Sequence, residues 1–446
     1  MTYNFPNKLR NLAIVFMCLG FLGLTYGFLS APSSIKESKA MISANHNDSH
    51  GDSHERSHED LDEKTSNNQA ESNHANHDLD HDEHVFHQLS NKPWAALYVS
   101  AFFFFMISLG VLAFYAIQRA AQAGWSPVLY RVMEGITAYL LPGGLIVLVI
   151  LILSSLHMNH LFIWMDPEVV SHDKLIAGKT GYLNTPFFLL RAIFFLSGWT
   201  LYRYFSRKFS LAQDQSSDIS NHKKNFRISA AFLVFYIVTE SIMSWDWIMS
   251  IDPHWFSTLF GWYVFASMFV SGITTIALIA IYLKSKGYLE FVNDSHIHDL
   301  GKFMFGVSIF WTYLWFSQFM LIWYSNIPEE VTYYIARFDD YKVPFMTALF
   351  FNFAVPIIML MSRDAKRITS RVLIIGSIIL VGHYLDFFVM IMPGTVGSHW
   401  SLGFVEIGAF LGLLGLFIRV VTNKLSTMEL TPKNHPMLKE SKHFHI

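Results

Sequence analysis

The stretch Trp245-Asp246-Trp247-Ile248-Met249-Ser250-Ile251-Asp252-Pro253-His254-Trp255-Phe256-Ser257-Thr258 sets two carboxylates, one imidazole and three indoles between two apolar runs. Trp favours a membrane–water boundary because its ring is apolar and its N–H wants a partner. Acids do not, and an ionisable group near a bilayer is costly enough to imply a task. Such residues at such an edge suit a site for a redox or proton-carrying molecule that arrives from the lipid.

More ionisable groups lie inside apolar runs. Arg191 sits about six residues from the outer end of its run, roughly 9 Å at the helical rise. Glu406 lies at a similar depth, Asp386 slightly deeper, and Asp246 and His157 within a turn or so of an end. Glu240 and His383 are the two nearest mid-membrane. His383 and Asp386 are three residues apart and share a helix face. Helix gluing accounts for an Arg191–acid pair and for Asp246 or Glu406 reaching towards water. The set Glu240, Asp246, His383, Asp386 and Glu406 exceeds what gluing needs and reads as a proton route.

Positioning these groups falls to membrane helices. The chain has 446 residues, 52% hydrophobic and only 15% charged, where a soluble protein carries about 25% charged residues. Apolar runs of about 20 residues, long enough to span a bilayer, recur at roughly 10–30, 94–118, 135–157, 186–205, 228–249, 258–283, 303–325, 344–361, 371–392 and 400–421. The fold class is therefore all-α integral membrane, with about ten spans. Most of the 32 Lys and Arg residues fall in alternate segments beginning with the N-terminus, among them Arg203, Arg207, Lys284, Arg363 and Lys424. This bias puts both termini in the cytoplasm and the Trp245–Thr258 stretch outside. The first run is longer than a signal-peptide core and reads as an uncleaved span.

Residues 33–92 form a polar outer insert with His46, His50, His54 and His58 at a spacing of four. On a helix these four would share a face and could chelate a transition metal. With so few apolar residues around them, a disordered, weakly metal-binding tract is the plainer expectation. Cys18 is the single cysteine, which rules out a disulfide, a Cys-ligated iron–sulfur cluster and a Cys-x-x-Cys-His haem attachment on this chain. A b-type haem needs two deep histidines, and His383 alone qualifies. Walker motifs are absent, which argues against an ATP-driven pump, and nothing marks a nucleic-acid partner.

An internal repeat organises the rest. The third span exits through Leu161-Phe162-Ile163-Trp164-Met165-Asp166-Pro167-Glu168 and the seventh through Met320-Leu321-Ile322-Trp323-Tyr324-Ser325-Asn326-Ile327-Pro328-Glu329. Thr185-Pro186 and Val343-Pro344 follow, with Trp-to-Pro separations of 22 and 21 residues. Four spans apart, the copies run in the same direction. The expected architecture is two four-helix bundles, spans 2–5 and 6–9, with spans 1 and 10 peripheral. As segments these are 1–32 (first helix), 33–92 (insert), 93–250 and 251–398 (bundles), 399–422 (tenth helix) and 423–446 (cytoplasmic tail).

Trp245–Thr258, Gln318–Glu330 and Ser362-Arg363-Asp364-Ala365-Lys366-Arg367 together resemble the quinol-interacting membrane subunits of alternative complex III, of the NrfD-like (polysulfide reductase membrane subunit) family. The resemblance covers about residues 90–420, and the His-rich insert is most similar to the F-type subunit. It implies a bacterial inner-membrane respiratory complex that oxidises menaquinol or ubiquinol and reduces cytochrome c or an oxidase. Iron–sulfur and multihaem cytochrome c subunits would carry the redox centres, beside a homologous larger NrfD-like subunit, possible contact with a terminal oxidase, and membrane lipids. It also implies a His and an Asp near the quinol head, which His157 and Asp166 match in position, with Asp252 and His254 nearby. Quinol oxidation needs bases for two protons, a role these four could fill. Two competing readings are a non-catalytic scaffold of the same complex and a secondary transporter, for which Pro142-Gly143-Gly144 lacks a counterpart in span 7.

Overall fold

The computed structural model describes residues 3–48 and 68–445. Among the described residues, ten helices are long and apolar enough to cross a membrane: Asn7–Ser30, Asp82–Ala120, Pro127–Ser155, Thr185–Asp214, Ser220–Ile251, Phe260–Ser285, Asp294–Ser325, Lys342–Leu360, Thr369–Val396 and Phe404–Ser426. They are numbered spans 1 to 10. The described residues form no strand, and the protein is an all-α, multi-pass membrane protein. Spans 5 and 7 start eight or nine residues earlier than their apolar runs, because helices continue past the bilayer on polar residues that hydropathy does not register. At span 7 the extension is capped by Asn293, whose Oδ1 accepts the Ser295 and His296 backbone N–H groups, satisfying donors that a helix start leaves free.

Spans 2, 3, 4 and 5 pack in a closed cycle, and spans 6, 7, 8 and 9 form a second. Span 2 is nearly wholly buried because it also packs against spans 6, 9 and 10. Two glycines permit its close crossing with span 6. A Cβ on Gly110 would lie 2.4 Å from the Met268 carbonyl oxygen, and one on Gly272 would lie 2.8 Å from the Val111 nitrogen. Span 1 lies against span 10 through a small-residue seam, where a Cβ on Gly412 would sit 2.9 Å from the Gly20 Cα. Such seams let backbones approach closely, which matters where lipid removes the hydrophobic drive for association. The outward side of span 1 is exposed, Phe21 and Leu29 included.

Both repeat copies leave the membrane alike. Span 3 is followed by a 3-10 turn at Ile163–Met165 and a helix Pro167–His172, and span 7 by a helix Pro328–Asp339. Each helix begins on a proline, which is pre-set for that position. Part of the polar insert is also ordered. A helix Ile35–Asp48 starts where Glu37 Oε2 accepts the Ser33 backbone N–H at 2.9 Å, and Lys39 pairs with Asp82 at 2.5 Å. A second helix runs from Asn68 through Pro93 into span 2. Helical backbone thus replaces the disorder expected over much of 33–92, since capping and a neighbouring helix supply what apolar content does not.

Tyr3 meets Tyr282 in the last turn of span 6, and the Phe444 carbonyl accepts from Asn293 Nδ2 at the start of span 7. Both described ends of the chain therefore lie on one face, here called the terminal face.

Candidate functional site

The Trp245–Thr258 stretch forms a hinge between the bundles on the opposite face. Trp247 is fully buried in a nest of Phe102, Phe105 and Trp199 rings. Trp255 stacks on Tyr333 of the Pro328–Asp339 helix at 3.8 Å between ring centres. Asp246 is fully buried and takes two bonds from Arg191, Nε to Oδ2 at 2.6 Å and Nη2 to Oδ1 at 3.0 Å, plus the Tyr182 hydroxyl at 2.8 Å. The Arg191 guanidinium also lies over the Tyr182 and Phe187 rings. Asp246 therefore neither reaches water nor stands free; it ties spans 4 and 5 together.

Beside the hinge opens a cavity of about 460 Å³, lined by Lys179, Tyr182, Trp245, Met249, Trp255 and Phe256 among others. Its size and aromatic lining suit a small planar ligand. Burial pulls the Lys179 ammonium below the usual lysine range, against the opposing pull of Asp252 and Asp173. Its Nζ donates to the Pro253 carbonyl oxygen at 2.5 Å.

The four expected quinol contacts are dispersed around this region, and none lines the cavity. His157 is exposed just past span 3 at a φ of +57°. Asp166 caps the Pro167–His172 helix by accepting the Glu168 N–H at 2.9 Å. Asp252 is half-buried. His254 is bonded to Asp173 through Nε2 at 2.5 Å. That imidazole, with the backbone N–H of Ile176, holds the Asp173 carboxyl below the usual range.

The second bundle holds the densest buried polar cluster around the deep acids. Asp386 Oδ2 accepts from Ser267 and from the Trp311 indole, each at 2.9 Å, and Oδ1 accepts from the Tyr263 hydroxyl. His383 Nδ1 lies 2.8 Å from Ser267 Oγ and 3.7 Å from Asp386 Oδ2. Its Nε2 is buried without a bond. Asn352 approaches the same ring at 3.4 Å, displayed by the π-helical turn Phe350–Ala354 of span 8. Such turns often mark functional positions. Next to Asp386 lies a void of about 10 Å³, bordered by Tyr263, Gln318, Tyr333 and Arg337, about the room one water needs. Gln318 Oε1 is a buried acceptor with no bond. Tyr333, on its border, is the residue on which Trp255 stacks.

Asp246 and Asp386 thus occupy spans 5 and 9, the last helices of the two bundles. The first is neutralised by a bidentate arginine. The second is held by neutral donors and a histidine, with Arg337 on the far side of the void. The other two acids stand apart from both. Glu240 bonds Ser244 at 3.1 Å and pairs with no described cation. Glu406 closes the first turn of span 10 by accepting the Gly403 N–H at 2.9 Å, and its Oε1 has no partner. They do not join His383 and Asp386 in a continuous hydrogen-bonded chain.

At the terminal face the structure adds a cluster that the sequence reading did not single out. Glu134 is buried and bonded to Arg131 at 2.7 Å, Ser210 at 2.6 Å and Tyr115 at 3.0 Å, with Arg119 and Arg207 at 3.6 and 3.8 Å. Arg131 also pairs with Asp214. The C-terminal segment latches onto this cluster: the Lys433 N–H donates to Asp214 Oδ1 at 3.1 Å, and His435 meets the Tyr130 ring. The Arg131/Glu134 spacing on one helix face was the available signal. Of the four spaced histidines, His46 falls in the helix Ile35–Asp48, and His50, His54 and His58 lie outside the described residues. Among the described residues no group of three or more His, Cys, Asp or Glu could hold a metal.

No family model matches this chain, and no curated protein is significantly similar to it.

Proposed function

We propose that this chain is a membrane subunit of a respiratory quinol:cytochrome c (or oxidase) oxidoreductase, in which its second bundle transfers protons. The observation carrying this reading is the membrane-embedded His383–Asp386 pair, framed by hydroxyl and indole donors beside a water-sized void. A carboxyl group without a permanently charged arginine or lysine bonded to it can take and release a proton without breaking a helix tie. Ser267 bridges His383 and Asp386 through one hydroxyl, so a proton can pass between them by reorientation. Tyr333 and Arg337 lead from the void towards the opposite face. In the same reading the aromatic cavity at the hinge receives the quinol ring, with Lys179 at its rim. The Lys/Arg bias supports both termini on the cytoplasmic side, and the family resemblance supports a bacterial inner membrane.

Electron transfer then belongs to iron–sulfur and multihaem partner subunits, beside a larger homologous membrane subunit. Purification from the native membrane under mild detergent tests this. Co-purifying multihaem and iron–sulfur subunits are the expected result, and a chain that isolates alone overturns the reading. The dispersal of His157, Asp166, Asp252 and His254 favours a second reading, in which the chain is a scaffold of that complex that binds no quinol. Retained quinol oxidation after filling the hinge cavity by Met249→Trp selects the scaffold.

A further inference from the structure

Three basic side chains on the terminal face are underused by the ion pairs around them. Arg203 donates through Nε to Thr137 Oγ1 at 3.3 Å and pairs with no described carboxylate. Arg207 reaches Met428 Sδ at 3.3 Å and lies 3.8 Å from Glu134, and its Nη1 makes no hydrogen bond. Lys424, at the end of span 10, pairs with no described acid. The three repel one another, and Glu134 is the acid that attracts each of them. That carboxylate is already engaged by Arg131 at 2.7 Å. A concentration of unneutralised positive charge is thus held where spans 4 and 10 leave the bilayer.

An apolar groove of about 450 Å³ runs directly to this cluster. It lies between spans 3 and 4 and is lined by residues including Leu141, Gly144, Leu145, Ile193, Ser197 and Leu201. Leu196, Thr200, Arg203 and Arg207 follow at helical spacing, so the groove and the two arginines share one stripe of span 4. Arg203 lies about 3 Å along the axis beyond Leu201. Thr137, which holds Arg203, opens the 3-10 turn Thr137–Tyr139, after which Leu140 and Leu141 continue the groove wall.

We infer that Arg203, Arg207 and Lys424, with the groove between spans 3 and 4, form a binding site for an anionic phospholipid of the leaflet on the terminal face. The phosphate sits among the three cations, and one acyl chain lies in the groove against Leu145 and Ile193. Charge complementarity selects the occupant: a neutral detergent or a zwitterionic lipid leaves the cluster's excess charge uncompensated, and a free anion leaves the groove empty. Basic pockets between transmembrane helices recognise such head groups by the same physics. This site is independent of the respiratory reading.

The test uses the chain in its native assembly, exchanged into nanodiscs containing phosphatidylglycerol, phosphatidylcholine or both. Native mass spectrometry then counts retained lipid. The wild type is expected to retain phosphatidylglycerol selectively. Arg203→Gln with Lys424→Gln should weaken retention about thirtyfold, from two cations lost near an anionic head group. Ser197→Phe, which fills the groove, should lose the lipid with all three cations in place, and the charge-preserving Arg203→Lys should keep it and so controls for folding. Equal retention by the double variant overturns the site. So does protection of the cluster by inorganic phosphate alone, or a cross-link from Thr200→Cys to a partner-subunit helix seated in the groove.

Discussion

Replacing Arg191 by methionine separates a tie from a relay at the first bundle. The Arg191–Asp246 pair is bidentate and buried, with Arg191 7% and Asp246 0% exposed. Removing the guanidinium leaves a buried carboxylate with the Tyr182 hydroxyl as its remaining side-chain donor. Breaking a buried pair from one side costs about 3–5 kcal/mol, because the remaining charge is uncompensated. The lost stacking over Tyr182 and Phe187 is part of that cost. Removing both charges in Arg191→Met/Asp246→Leu takes away the uncompensated carboxylate. The penalty should then fall to about 1–3 kcal/mol, mostly from the Tyr182 hydroxyl losing its acceptor. Equilibrium unfolding of the detergent-solubilised protein by graded SDS measures all three stabilities. The double variant should be the more stable of the two and should keep proton transfer in the assembled complex. Equal stability of wild type and Arg191→Met refutes the tie, and loss of proton transfer in a well-folded double variant makes Asp246 part of the route.

Two further perturbations follow from the packing and the electrostatics. Gly412→Leu places a side chain where a Cβ alone would sit 2.9 Å from Gly20 Cα. Overpacking of about 1–3 kcal/mol should therefore loosen span 1 from span 10, seen as a lower midpoint of heat unfolding, with Gly412→Ala intermediate. On the tail, burial and the Arg119 charge pull the His435 imidazole down to about 2 from an ordinary 6.5. The folded state then binds fewer protons than the unfolded one, so stability is complete above pH 6.5 and falls as pH drops below it. The loss is about 1.4 kcal/mol per unit, or about 2 kcal/mol by pH 5. Hydrogen exchange should show residues 427–444 opening between pH 6.5 and 5 in the wild type, and His435→Phe should reduce that dependence, leaving the part due to His222 and His296, which lie past the bilayer and which burial also pulls down.

The membrane-spanning fold was legible because apolar runs of bilayer length are a one-dimensional signal. The ten expected spans are the ten long apolar helices found among the described residues. The repeat was legible for a related reason: Trp164 and Trp323 mark equivalent helix exits, and prolines restart the chain at equivalent distances. What a single sequence did not disclose was which buried charge meets which. Arg191 and Asp246 are 55 residues apart in the chain, and no periodicity says that this aspartate is neutralised while Asp386 is not. His383 and Asp386 were found together because three residues on a helix decide their proximity locally. Ser267, Trp311 and Asn352 come from three other spans and carry no mark of it. Glu134 escaped notice because basic residues beside a span read first as topology signals. His157, Asp166, Asp252 and His254 were grouped by the family resemblance, and the loops instead make Asp166 a helix cap and pair His254 with Asp173.

The most direct test of the account is the ratio of protons moved to electrons transferred, measured with the native assembly in proteoliposomes carrying Asp386→Asn. The amide keeps the shape of the cluster and removes the titratable group. The account predicts a lower proton-to-electron ratio than wild type, with quinol-driven electron transfer and subunit composition retained. An unchanged ratio in the fully assembled variant contradicts it.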